Sequence, residues 1–345
     1  MVPMNASIAT LFDPPILAGA VARVAVPPHR RTLPLRVGTR TSPLALAQTR
    51  SFLDLLTRFC PVLRGMGVFR EQAIQTTGDR VQDRSLAEIG GKGLFAKEIH
   101  EALLDRRIDL AVHSLKDLET TLPPGIALAC VLRREDPRDA LLLGEGCGEP
   151  DADDPWAALP AAAAIGTCSV RRQAQLLHAR PDLRIVPMRG NVHSRLDKLR
   201  DGHCAATLLA LAGLRRLDLA HLAAAAIAPE RMLPASCQGI IGVTARSADT
   251  ALCELLAAIT DPPTQVAAEA ERAMLAALDG SCRTPIGCHA RPDSRGGVTV
   301  TGMVARADGG FLLRRSLAGA AADAAAIGTA LGESLRRDSP CDLFG

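Results

Sequence analysis

The stretch AAIGTCSVRRQAQLLHARPDLRIVPMRGNVHSRLDKLRDGHCAATLLA (163–210) decides the fold. Apolar strands at 163–166, 183–187 and 206–210 alternate with helical segments at 169–179 and 191–201, and Pro181 stops the first helix. This β-α-β-α-β order is the pattern of an α/β fold with a largely parallel sheet. In such sheets ligands bind at the carboxyl ends of the strands. The residues that follow each strand are therefore the first candidates for function.

Working outward, a second unit of the same kind lies upstream. Residues 35–38 read as a strand, and Ser42-Pro43 as an N-cap with proline in the first turn of a helix reaching about Phe59. A strand is expected at 67–75 and a turn at Gly78-Asp79. Gly90, Gly91 and Gly93 read as a flexible lid with Lys92 as an added cation, ahead of a helix at about 94–105 and a buried strand at 108–112. The unit containing 163–210 runs from about 138 to 233, with an acidic solvated loop at 145–155. Residues 240–257 add a strand and a helix, and DPPT (261–264) reads as a linker. Beyond it come a helix at about 265–278, strands near 285–290, 298–304 and 311–317, and a helix at about 321–336, a candidate third domain. The first 34 residues read as a disordered leader or an over-long start: the apolar run 16–26 follows Asp13, Pro14 and Pro15, is preceded by no Lys or Arg, and is broken by Arg23.

Composition excludes several classes. Of 345 residues, 48% are hydrophobic and 22% charged, enough apolar content for packed cores. The net charge of +3, with seven Phe, one Trp and no Tyr, argues against nucleic-acid binding. No apolar run is long enough for a transmembrane helix, so no membrane partner is expected. The ten cysteines form no C-x-x-C and no zinc spacing with His, so no metal is expected, and most read as buried, reduced thiols of a cytoplasmic protein.

The charge lies after strands. Five strand ends carry basic or hydrogen-bonding residues: Thr39-Arg40-Thr41-Ser42, His113-Ser114-Leu115-Lys116-Asp117, Thr167-Cys168-Ser169-Val170-Arg171-Arg172, Arg189-Gly190-Asn191 with Arg195, and Gly213-Leu214-Arg215-Arg216. Arg171 and Arg172 fall in the first turn of a helix capped by Ser169, where a cation opposes the macrodipole by about 0.3–1 kcal/mol. One such arginine is ordinarily a solvated residue or the partner of a nearby acid. Basic groups at every strand end point instead to a cleft for a polyanion, since guanidinium forks match carboxylate and phosphate geometry. No P-loop and no dinucleotide fingerprint accompanies them. Asp117, among these cations, reads either as a structural ion-pair partner or as a carboxylate that stabilises a developing cation.

The stretches GTRTSPLALAQ (38–48), GGKGLFAKEI (90–99), AVHSLKD (111–117), REDPRDA (134–140), GTCSVRRQAQL (166–176), RGNVHSRLDKL (189–199), LALAGLRRL (209–217), LPASCQGIIG (233–242), AERAM (270–274) and GSCRTPIG (280–287) closely resemble the porphobilinogen deaminase family, in the family's order. The resemblance implies two lobes like those of type II periplasmic binding proteins, domain 1 over 35–134 and 238–258 and domain 2 over 135–237. It adds a small α+β domain 3 over 259–345 that carries a cysteine on a loop. It implies a dipyrromethane cofactor joined by a thioether to that cysteine, which matches Cys282. It implies that four porphobilinogen molecules are added head to tail, each with loss of ammonia, before the linear tetrapyrrole hydroxymethylbilane is released. Each pyrrole carries an acetate and a propionate, which an arginine-lined cleft suits. By the same match Ser114, Lys116, Ser169, Arg171, Arg172, Arg195 and Arg216 contact the cofactor. Arg40, Ser42, Arg189 and Lys92 serve substrate binding and elongation, and Asp117 is the catalytic carboxylate. A monomer is implied.

Several positions depart from the family's pattern: Leu118-Glu119, Cys168, His193-Ser194, Ala205, Cys237, Thr244 and Ser281. None removes a matched arginine, Lys116, Asp117 or Cys282. The other class of function open to this sequence is a bilobal module that captures an anion without chemistry. A thiol on the domain 3 loop is unnecessary for capture and favours the enzyme.

Overall fold

Three sheets organise this computed structural model, which describes residues 33–64, 67–80, 93–151, 153–278 and 284–344. The first sheet contains β1 (Leu35–Arg40), β2 (Phe69–Ile74), β3 (Leu110–Ser114), β4 (Ile126–Val131) and β10 (Ile241–Arg246), in the order β2-β1-β3-β10-β4. The second contains β5 (Asp139–Leu143), β6 (Ala164–Gly166), β7 (Arg184–Val186), β8 (Ala206–Ala210) and β9 (Ala225–Ile227), in the order β7-β6-β8-β5-β9. The third is an antiparallel meander of β11 (Ile286–Pro292), β12 (Gly297–Ala305) and β13 (Leu312–Ala320).

The two five-stranded sheets share one plan. Each has a parallel triple, β2-β1-β3 or β7-β6-β8, then one antiparallel strand, β10 or β5, and an outer strand paired with it. The antiparallel strand is the one the chain makes on arriving from the other sheet. β5 follows β4 across residues 132–138, and β10 follows β9 across 228–240. The largely parallel sheet expected from 163–210 is therefore found twice, each time with one antiparallel strand. β4 and β5 carry no pattern in sequence, because 126–131 and 139–143 are short apolar runs without helical or alternating period.

Helices follow the strands as the caps direct. They are α1 (Pro43–Phe59), α2 (Thr77–Arg80), α3 (Lys97–Leu104), α4 (Val170–Ala179), α5 (Val192–Arg200), α6 (Leu211–Arg216), α7 (Thr250–Ala257), α8 (Pro262–Ala277) and α9 (Ala324–Arg337). On α1, Phe52 and Leu56 lie one turn apart and are sealed in a core with Val37, Leu110 and Val243. Burial of each such side chain stabilises by about 1.5–3 kcal/mol. Leu141, Ile165, Leu176 and Leu208 form a core of the second sheet, and Met274, Val300, Leu331 and Leu335 that of the third. Gly328 on α9 rests on the backbone of α8, where a Cβ would lie 2.1 Å from the Ala270 carbonyl oxygen.

Three expectations are corrected. DPPT is not a linker: Asp261 caps α8, its Oδ2 accepting from the Thr264 amide at 3.0 Å and hydroxyl at 2.6 Å, and the prolines occupy the first turn. The third strand of the first sheet runs on to Ser114, so His113 and Ser114 belong to the strand and only Lys116 and Asp117 to the turn after it. Among the described cysteines, all of them free, Cys130, Cys204, Cys237 and Cys288 are buried, Cys60, Cys147, Cys168 and Cys253 are half-buried and Cys341 is exposed.

Candidate active site

The carboxyl ends of the two parallel triples face one another across a cleft of about 450 Å³. From the first sheet it is lined by Arg40 ending β1 and Ser42 after it, Asp79 after β2, and His113, Ser114, Lys116 and Asp117 at the end of β3. From the second it is lined by Cys168 after β6, Arg172 on α4, Arg189, Asn191 and Arg195 after β7, and Ala210 ending β8.

On the first side Arg40 is held on three quarters. Its Nε and one terminal nitrogen donate to the two carboxylate oxygens of Asp79 at 3.2 and 2.5 Å. The other terminal nitrogen lies 3.7 Å from Asp117 Oδ2, and the guanidinium carbon stands 4.1 Å over the Phe95 ring. Burial alone would raise the Asp79 pKa, but its bonds from Arg40 and Thr76 outweigh that and bring it below the usual carboxylate range. Asp117 sits at the end of the short turn Leu115–Asp117 and is about one-third exposed to the cleft. Ser114 exchanges hydrogen bonds with Gln48 of α1 at 2.9 and 3.0 Å. Behind it, His113 shares a hydrogen bond with the Thr244 hydroxyl at 2.9 Å. Burial, reinforced by His100 and Arg40, depresses its pKa to about 3, so it is neutral.

Lys116 reaches into the cleft from the same turn. Its side chain is exposed to the cavity, yet protein crowds it on the remaining sides and its pKa falls to about 8. Asp117 and Asp139 oppose that fall, while Arg172 and Arg171 add to it.

The second side is built on a buried carboxylate that the sequence reading missed. Asp139 opens β5 and is fully buried. Its Oδ2 accepts from Arg171 at 2.7 Å, and its Oδ1 accepts from Arg172 at 2.7 and 3.1 Å. Arg171 also donates to the Leu233 carbonyl at 2.7 Å and Arg172 to the Leu208 carbonyl at 2.8 Å. The anion that two arginines in the first turn of α4 require is thus supplied by the chain. Arg172 still lines the cleft; Arg171 and Ser169, whose hydroxyl caps α4, are not among its lining residues. The signal for Asp139 was an acid placed directly before the apolar run ALLL.

Arg195 is different. Its Nε donates to the Gly190 carbonyl at 2.9 Å, and no carboxylate of the described residues pairs with it. Burial, followed by the nearby charge of Arg172, lowers its pKa to about 10. The fifth strand end does not meet the cleft with its arginines. Arg215 pairs with Glu135 at 2.7 Å and Asp136 at 3.2 Å, and Arg216 donates to the Gly239 carbonyl at 2.7 Å, because both face the crossovers. Gly239 is required there: its φ is +90°, and a Cβ would lie 2.3 Å from the Glu135 carbonyl oxygen. Lys92 and Cys282 lie outside the described residues.

The third sheet is tied to this region through Glu271 on α8. This fully buried carboxylate accepts from Arg134 at 2.6 and 3.3 Å, from the Cys237 amide at 2.5 Å and from the Ala290 amide at 2.7 Å.

Comparison with known proteins decides the family. Residues 35–254 match the model described as porphobilinogen deaminase, dipyromethane cofactor binding domain, and residues 265–337 match porphobilinogen deaminase, C-terminal domain. The chain belongs to the porphobilinogen deaminase family. A porphobilinogen deaminase of Paracoccus denitrificans is 47% identical over 90% of this chain and 96% of its own. A chloroplastic porphobilinogen deaminase of Oryza sativa subsp. japonica is 45% identical over 83% of this chain and 78% of its own. Among solved structures, the periplasmic VFT2 domain of Bordetella pertussis BvgS aligns over 65% of this chain and 85% of its own, at 14% identity and a TM-score of 0.37, too low a likeness to argue from. Enzymes of this deaminase family are deaminating transferases of tetrapyrrole biosynthesis, and no described helix is long and apolar enough to cross a membrane. The donor set of the cleft fits the family's dipyrromethane, a polycarboxylate: Lys116, Arg172, Arg189 and Arg195 line it, and Lys116 and Arg195 have no carboxylate partner among the described residues.

Proposed function

We propose that the protein is a hydroxymethylbilane synthase of haem biosynthesis, joining four porphobilinogen molecules head to tail and losing one ammonia from each. The observation that carries this reading is the two-sided cleft, with an accessible carboxylate, Asp117, on one wall and Arg195, unpaired among the described residues, on the other. A dipyrromethane joined by a thioether to Cys282 supplies the pyrrole carbon from which the product grows. Ser114, Lys116, Arg172 and Arg195 hold it, Arg195 through a guanidinium fork on a carboxylate, while Arg171 acts through the Asp139 cluster it shares with Arg172, Ser169 by capping α4, and Arg216 stays turned to the crossover. Arg40, Ser42, Arg189 and Lys92 bind the incoming porphobilinogen.

Ammonia leaves porphobilinogen as positive charge develops over the pyrrole ring. Asp117 opposes that charge from a fixed position, with Arg40 at 3.7 Å setting the carboxylate's direction. The same carboxylate takes up the α-proton lost when the new bond forms. The domain boundaries follow the two crossovers: domain 1 over 35–134 and 238–258, domain 2 over 135–237, domain 3 over 259–345. The protein acts as a cytoplasmic monomer.

The test is turnover of porphobilinogen by protein whose intact mass shows two pyrrole units attached. Asp117→Asn with that mass is expected to lose at least about a hundredfold in kcat, the size of one preorganised electrostatic partner, and Asp117→Glu to keep part of the activity. Loaded Asp117→Asn at the parent rate sinks the assignment, and an adduct that maps to another cysteine sinks Cys282.

A further inference from the structure

Gln238 lies fully buried on the crossover 228–240. Its Nε2 donates to the Pro137 carbonyl at 2.8 Å and to Asp139 Oδ1 at 3.0 Å. A primary amide has two N–H donors on its nitrogen, and both are used here. Its oxygen is therefore fixed on the opposite side, where it accepts from Lys116 Nζ at 3.4 Å. A flipped amide would press three oxygens together with no proton among them. The amide can stand only one way round, with its acceptor toward the cleft.

We propose that Gln238 is a positioning residue for Lys116, carrying the Asp139 cluster of the second sheet to the ammonium of the first. The proposal rests on Lys116 belonging to the groups that hold the cofactor. The charges facing Lys116 are those of Asp117 beside it, of Asp139 on β5, and of Arg171 and Arg172 on α4. The two arginines favour loss of the lysine proton. No carboxylate of the described residues is in ion-pair contact with the ammonium, so the Gln238 oxygen is the hydrogen-bond acceptor that fixes where it points. Because Gln238 bonds partners on both sides of the cleft, it holds Lys116 in register with Arg172 on the facing wall. At 3.4 Å the bond is long for a charge-assisted one, so its effect is expected to be moderate.

The readout is the titration of Lys116 itself. Trace acetylation of the full-length protein across pH, read by mass at the Lys116 peptide, follows the neutral amine. Gln238→Met removes the acceptor at nearly constant volume and is expected to lower the Lys116 midpoint by about half a unit or more. Gln238→Glu needs a proton on the oxygen that faces Pro137 and Asp139, keeps its acceptor toward Lys116 and is expected to hold the midpoint near the parent's. Loss in the first variant with retention in the second is what a merely structural residue would not produce. An unmoved midpoint in a Gln238→Met protein of parental melting temperature overturns the proposal. Should that variant not fold, Gln238→Asn, too short to reach both sides, must lower the midpoint or the proposal fails. The alkaline limb of kcat/KM for porphobilinogen is expected to follow the labelling midpoint, and Lys116→Arg to carry that limb upward. If Gln238 variants shift the midpoint while the limb ignores both them and Lys116→Arg, the tie stands and the place of Lys116 in the site falls. If the limb answers to Lys116→Arg but the midpoint ignores Gln238, the site reading stands and the tie falls.

Discussion

The two five-stranded sheets have the same strand order and opposite chemistry at matching places. In the second, the last residue of the third parallel strand, Ala210, pairs with Asp139 of the antiparallel strand; in the first, the equivalent Ser114 pairs with Ile241. One residue earlier the polarity reverses: the first sheet has His113 opposite Gly242, and the second has Leu209 opposite Ala140. The buried charge of the second sheet anchors two arginines at the head of α4. The first sheet keeps a neutral imidazole behind its cleft edge and sets its carboxylates, Asp79 and Asp117, around Arg40. Matching backbone geometry thus places polar groups at the strand ends of both sheets, while the residue at each register position decides whether a side buries its carboxylate under arginines or sets it around one.

Removing the anchor of the second sheet should have the largest effect. Asp139→Asn leaves two buried guanidiniums without a carboxylate, and breaking a buried pair in this way costs about 3–5 kcal/mol. Urea unfolding should show that loss, and a change under about 1 kcal/mol would mean that the two sides do not differ in buried charge as described. The next effect concerns recognition. Arg195→Lys keeps the charge and removes the fork, worth about 1.5–3 kcal/mol, so the share of protein carrying the cofactor by intact mass should fall. Arg40→Lys should instead load normally and raise KM for porphobilinogen; equal loading defects in both would erase the division between the walls.

The smallest effect per pH unit is a pH dependence to which the first sheet contributes through His113, beside a like contribution from His289 on β11. His113 has a folded pKa of about 3 against an ordinary 6.5. Between those values the unfolded chain binds a proton that the native state refuses. The contribution is therefore complete above pH 6.5 and is lost as pH falls toward 3, by at most about 1.4 kcal/mol per unit for one group. His113→Leu, which copies Leu209, should make this limb of the stability curve shallower, with the share of His289 remaining. An unchanged slope in that variant would show that the imidazole is not the titrating group.

The sequence by itself determined the strand and helix alternation, the caps at Ser42 and Ser169, the third unit and the cationic residues after the strands. Each of these is local: a period of apolar residues, a capping hydroxyl, a charge next to a strand end. Tertiary structure alone decided which cations stay available to a ligand. Arg171, Arg172 and Arg195 look alike in sequence, yet the first two are joined by Asp139 from a strand thirty-two and thirty-three positions away, and the third is not. Likewise DPPT reads as a linker until Asp261 is seen capping α8. Asp139, Gln238 and Glu271 carried no local signature of importance, because a buried polar group has to find its partners across the fold, and those partners lie on distant chain segments that meet only in the folded protein.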